Sequence, residues 1–146
     1  KPDPAPDTPA ASTVDLQSIA ATTLGNYPFS AKMEVDSHGI DAYFSGLSSI
    51  SLSQQVINQC IMSPSPVGDF ALVQVSDSKD VDAVKAIFQA RIDYMTGADG
   101  GQPGAWYPGP TEMWQNSSRI ASNVDYIMLI VHEKCDDIVN DFNALF

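Results

Sequence analysis

Apolar residues recur along the chain with two different periods, and each period predicts one type of secondary structure. A spacing of three to four residues is typical of amphipathic helices, and it occurs in residues 14–24, 40–47, 81–95 and 138–146. Short segments bounded by turn residues are typical of strands, and the strand candidates occupy residues 55–62, 70–75, 118–122 and 126–131. The last run, YIMLIV, is apolar on both faces, which predicts a central strand covered on both sides.

Four residues mark the predicted helix ends. Thr13 is a favourable N-cap for the first helix, and Gly25 lies at its expected C-terminal position. Asp80 precedes the long helix and Gly97 follows it, which bounds that helix closely. Residues 26–39 and 97–116 show no clean period, so we expect loops there.

The predicted order, α-(α)-β-β-α-β-β-α, favours an α+β fold with a four-stranded, mainly antiparallel sheet. We expect the two later helices on one face of this sheet and the N-terminal helical segments on the other. Residues 1–13 contain four prolines and no large apolar side chain. Because such a segment buries too little surface to offset the entropy of ordering, we predict a disordered, Pro-rich tether there and a single domain over residues 14–146.

The composition argues against some classes of partner. Hydrophobic residues make up 44% of the chain and charged residues 17%, which is typical of a globular domain. The net charge is −11, from 18 acidic and 7 basic residues, and this field repels phosphate backbones and anionic membranes. We therefore predict no nucleic-acid partner, and we favour neutral or cationic ligands such as glycans or basic peptides.

The sequence contains none of the common catalytic motifs, such as GxSxG, HExxH, CxxC or a phosphate-binding Gly-rich loop. This favours a binding domain without catalysis, with no cofactor and no metal. His132, Cys135 and Asp136 offer the ligand types that bind Zn²⁺. The alternative is therefore a metal-dependent, hydrolase-like enzyme that uses His132 and acidic residues. The structural explanation of the same grouping is a strand end that runs into an acid-capped helix.

Two weaker groupings have ordinary structural explanations as well. Asp36, His38 and Asp41 lie close together in the sequence. Asp99 and the two glycines after it resemble the start of a calcium loop, but the remaining ligand positions of an EF-hand are lacking. The second grouping is therefore interpreted as a Gly-rich turn.

Cys60 and Cys135 are the two cysteines of the chain, and their spacing is not that of a metal site. They fit either one disulfide or a pair of buried thiols. We favour free thiols, because a domain of this size buries enough surface to fold without a covalent crosslink.

Both tryptophans of the chain lie in the long irregular segment after Gly97. Trp106, Tyr107 and Trp114 are the candidate ligand-binding residues, because exposed aromatic rings stack on sugars or anchor peptides. The alternative is that these rings fold back as a lid over the core.

Several motifs in a fixed order resemble the DUF4358 family, lipoproteins of Gram-positive, mostly clostridial, bacteria. They are VDL, YFSGL, ALVQV, DVDAVKAIFQAR, WYPGPTEMW, YIMLIV and FNALF, over residues 14–146. The resemblance implies an extracytoplasmic location, with a signal peptide and a lipid-modified cysteine ahead of the tether, both absent from this chain. It implies membrane attachment through that lipid only, and it assigns no site residue because the family has no settled function. We thus expect a lipid-anchored binding domain, with an enzyme or a structural cell-envelope module as the alternatives.

Overall fold

The computed structural model describes residues 14–27, 32–60, 69–104 and 108–146, so the predicted tether lies outside the described residues. The helices are α1 (Leu16–Asn26), α2 (Ser37–Tyr43), α3 (Val81–Thr96), α4 (Pro108–Asn116) and α5 (Cys135–Asn143). The strands are β1 (Lys32–Glu34), β2 (Leu52–Cys60), β3 (Phe70–Val75), β4 (Ser118–Asn123) and β5 (Tyr126–Val131). Among these described helices, none combines the length and apolar character that a membrane span requires.

The strands form one sheet in the order β1-β2-β3-β5-β4, and every neighbouring pair is antiparallel. The α+β fold and the antiparallel pairing of the four predicted strands are confirmed. A fifth strand, the three-residue β1, extends the sheet next to β2, inside a segment that we expected to be a loop. Because β5 lies between β3 and β4 and is antiparallel to both, β3 and β4 run in the same direction.

The sheet separates two apolar cores, and the two later helices lie on opposite faces, so the prediction that they share one face is wrong. Helices α2, α3 and α4 cover the first core, which contains Phe44, Val84, Phe88 and Trp114. Helices α1 and α5 cover the second, which contains Leu16, Ile138 and Phe142. The physical reason is that α2 lies over the first core and not over the second, so α1 alone does not cover the second face of β5, whose six residues are all buried. A central strand that is apolar on both faces needs a helical layer on each.

Both predicted ends of α1 are wrong, whereas the predicted C-terminal end of α3 is confirmed. The N-cap of α1 is Asp15, whose carboxylate accepts a hydrogen bond from the Gln17 amide at 3.2 Å, and not Thr13. Gly25 lies inside α1, which continues to Asn26. Gly97 ends α3 as predicted, with a φ of 82° that favours glycine.

Helix α4 lies within the segment that we expected to be irregular. Pro108 is its first residue, and proline is favoured there because its fixed φ suits a helix and its missing N–H has no partner in the first turn. Pro108 is thus a local signal for a helix start in a stretch rich in Gly and Pro.

Candidate functional site

A buried ion pair fixes the middle of α3 to the start of β3. Arg91 Nε donates to Asp69 Oδ2 at 2.9 Å, and the two side chains are only 7% and 4% exposed. The guanidinium group also lies over three aromatic rings, with its central carbon 4.8 Å from the ring centre of Tyr43, 5.4 Å from Trp114 and 5.9 Å from Phe44. These contacts join α2, α3, α4 and β3 at one point, which we call the Arg91 clamp.

The charge state of this clamp is set by two opposing effects. Burial raises the pKa of the Asp69 carboxyl, because it disfavours the ionised form, while Arg91 beside it opposes that rise. Neither Asp69 nor Arg91 was among the candidate residues predicted from the sequence. Arg91 follows Val84 and Phe88 at helical spacing, on the face of α3 that is buried. An arginine at such a position is a signal for a buried charge with a partner.

A groove lies beside the clamp, between the C-terminal end of α3 and helix α4. Its volume is about 310 Å³, and it is lined by Ile92, Thr96, Gly97, Ala98, Trp114 and Gln115. The lining therefore combines apolar side chains with the Thr96 hydroxyl and the Gln115 amide. A groove at the small end of the usual range for ligand sites, roughly 300–1,000 Å³, suits one small group.

Glycine residues fold the segment after α3 back onto that helix and so shape one wall of the groove. The amides of Gly97 and Gly104 both donate to the carbonyl of Tyr94, at 3.4 and 2.9 Å. A Cβ atom at Gly104 would collide with the ring of Tyr94. The absence of a Cβ atom at Gly104 thus leaves room for the Tyr94 ring in its present position.

The candidate aromatic residues are only partly placed by the structure. Trp106 and Tyr107 lie outside the described residues. Trp114 is 3% exposed and belongs to the first core. Its ring fits the alternative of a lid over the core, and its low exposure leaves no open face toward the groove that it helps to line. Stacking of a sugar on an open indole face has no support at this position.

His132 lies in the interior, away from the groove lining. It is 1% exposed, and its Nδ1 accepts a hydrogen bond from the Lys134 amide at 2.9 Å. Its ring meets Tyr27 edge to face, with 6.2 Å between centroids. No group of three or more His, Cys, Asp or Glu side chains is arranged to hold a metal ion within the part of the chain that the structure describes. The hydrolase alternative thus gains no support here.

Tyr27, Asp36 and Asp99 each have a structural partner. Tyr27 donates to Asp141 at 2.5 Å, and this hydrogen bond raises the pKa of Tyr27 to about 12. The Asp36 carboxylate accepts from the Gly39 amide and caps α2. Asp99 accepts from the Gly101 amide at 3.0 Å, as expected for a Gly-rich turn.

Cys135 has a free thiol and is buried against the second core. Burial raises the pKa of this thiol, which lowers its reactivity. The preference for a free thiol at this position is confirmed, while the side chain of Cys60 lies outside the described residues.

A scan of protein-family models finds none that matches the chain, and searches of curated proteins and of solved structures find no match either. The resemblance to the DUF4358 family therefore stays a prediction from the sequence motifs.

Proposed function

We propose that the chain is a binding domain without catalysis, attached to the outer face of the cytoplasmic membrane through an N-terminal lipid. In this proposal, the groove between α3 and α4 takes an apolar side chain of a neutral or basic peptide. The location rests on the family resemblance alone. The choice of ligand rests on the groove.

The groove supports this choice because one of its walls is part of the core: the Trp114 ring is buried and lies 5.4 Å from the Arg91 guanidinium carbon. A preformed site avoids the entropic cost of ordering its walls on binding. Ile92 and Ala98 provide apolar contact, and the exposed Gln115 amide can hydrogen-bond to a peptide backbone. The buried ring of Trp114 favours a peptide over a glycan, because a sugar needs an open aromatic face. A net charge of −11 repels anionic ligands.

Amide chemical shifts in the ¹⁵N-labelled chain test the proposal with defined probes. We expect the capped tripeptides Lys-Leu-Lys and Lys-Phe-Lys to shift the amides of Thr96, Ala98 and Gln115. Lys-Gly-Lys should leave them unchanged because it lacks an apolar side chain, and chitotetraose should also leave them unchanged. If chitotetraose changes the chemical shifts of these amides, the ligand of the groove is a glycan and not a peptide. No shift with any probe would favour the structural cell-envelope module.

A further inference from the structure

The outer edge of β4 is a second surface, distinct from the groove between α3 and α4. β4 is the last strand of the sheet and pairs with β5 through an uninterrupted register from Ser118 to Asn123. No described strand or helix forms a backbone ladder with its other side. An open edge of this kind is a template for one more strand.

The pairing shows which peptide groups point outward. The His132 amide donates to the Ser117 carbonyl at 3.2 Å, which continues the β4–β5 ladder by one step. In an antiparallel pair, residues that exchange backbone hydrogen bonds alternate with residues that do not. The peptide groups of Arg119 and Ala121 therefore also face β5. The peptide groups of Ser118, Ile120 and Ser122 therefore face the open edge. Arg119 Nη1 already donates to the Ser118 carbonyl at 2.9 Å, which leaves both groups of Ile120 and of Ser122.

This edge lacks most of the devices that normally prevent pairing. Natural edge strands are often short, bulged, or blocked by Pro or by an outward-reaching lysine. β4 has six residues, no register shift and no proline. Its one charged residue, Arg119, is turned toward Asp136 of α5, with 2.9 Å between Nε and Oδ1. By contrast, the opposite edge of the sheet is the three-residue β1.

The two faces beside the edge differ in chemistry. On one face, Ile120 packs partly buried against the first core. On the other face, α5 lies along β4, since Arg119 pairs with Asp136 and the Asn123 amide donates to Asn143 at 2.8 Å. At helical spacing, Asp136, Asn140 and Asn143 form one polar stripe. Helix α5 and the two residues before it carry Glu133, Asp136, Asp137 and Asp141 against one cation, Lys134.

We propose that β4 takes an extended segment of a partner protein as an additional antiparallel strand. Residues of that segment whose N–H groups face β4 place their side chains on the Ile120 face, because directly opposed residues share a face. These residues are apolar. The alternate residues lie over the polar stripe of α5 and are basic. A second copy of this chain is a poorer occupant, because each chain carries a net charge of −11 and like charges repel.

Amide hydrogen exchange of the ¹⁵N-labelled chain tests this proposal with the capped peptide Lys-Val-Lys-Val-Lys-Val-Lys. When free peptide is about ten times its Kd, exchange at Ile120 and Ser122 should slow about tenfold, because the added strand protects these amides. The exchange rates of the Arg119 and Ala121 amides should not change, because these amides face β5. A matched peptide with Glu in place of Lys should bind more weakly.

N-methylation of the peptide supplies the control for backbone pairing. Methyl groups on the valine nitrogens should abolish protection at Ile120 and Ser122, because those nitrogens face β4. Methyl groups on the lysine nitrogens should preserve it. The proposal is overturned if the Lys-Val peptide gives no protection, or if methylation at valine has no effect. If the Glu-Val peptide binds as tightly as the Lys-Val peptide, the partner segment is not basic. If the Ile120 amide becomes protected without peptide as the concentration of the chain rises, the occupant of the edge is a second copy of the chain.

Discussion

Replacing Arg91 by methionine will lower the free energy of unfolding by about 3–5 kcal/mol, the usual cost of removing one partner from a buried ion pair. Methionine keeps much of the apolar volume of the side chain but leaves the Asp69 carboxylate without its cation. Asp69 is 3% exposed, so water cannot replace the lost partner. Urea unfolding at neutral pH measures the change.

The double variant D69L/R91M provides the control for this prediction. With both charges removed, no unpaired group is left in the interior, and replacing a buried pair by apolar residues is often neutral. We expect D69L/R91M to recover most of the stability that R91M alone loses. Equal losses in the two variants would mean that packing of the Arg91 stem, and not its charge, stabilises the fold.

The pH dependence of this loss follows from the pKa of Asp69. Burial raises that pKa above the unfolded value of 3.8. The group therefore contributes stability that is fully present below 3.8 and is lost as the pH rises through the folded pKa. Removing Arg91 raises the folded pKa further. The difference in unfolding free energy between wild type and R91M should narrow as the pH falls from neutrality toward 3.8.

Replacing Trp114 by alanine will cost about 3–5 kcal/mol of unfolding free energy, as for other large aromatic residues in a core. Trp114 is 3% exposed and contacts Arg91, with 5.4 Å between the guanidinium carbon and the ring centre. The substitution opens a cavity and removes one ring of the clamp. Thermal and urea unfolding of W114A measure the loss.

Phenylalanine at position 114 is the matched control, because it keeps an aromatic ring beside Arg91 and leaves a smaller cavity. W114F should lose clearly less stability than W114A. If W114A unfolds like the wild type, Trp114 is not part of the core, and its ring is available to a ligand as the sequence analysis proposed.

The central strands and the long helix could be predicted from the sequence because local and tertiary signals agree there. β5 was predicted with the bounds that the structure shows, since Tyr126–Val131 is a continuous apolar run between a turn and a histidine. Gly97 ended α3 where its positive φ is needed. For β5 and for the end of α3, the residues that predict the structure lie within the element or next to it in the sequence.

The side of the sheet on which each helix packs could not be predicted in the same way. Periodicity shows that α5 has an apolar face, but not which face of the sheet that helix covers. The groove and the clamp depend on pairs distant in sequence, such as Asp69 with Arg91, which are 22 positions apart. The position of Trp114 on a helix could not be predicted either, because Gly and Pro dominate the start of α4 and these residues are more typical of loops.

The most direct test of the proposed binding site compares two variants with the same added side chain. Ala98 lines the groove, whereas Ala90 lies exposed on α3 outside it. Titration of Lys-Leu-Lys against the ¹⁵N-labelled variants gives a Kd for each. A98F should raise the Kd about tenfold or more, a loss of about 1.4 kcal/mol, because the ring fills part of the groove, and A90F should bind like the wild type. Equal Kd values for A98F, A90F and the wild type would contradict the account.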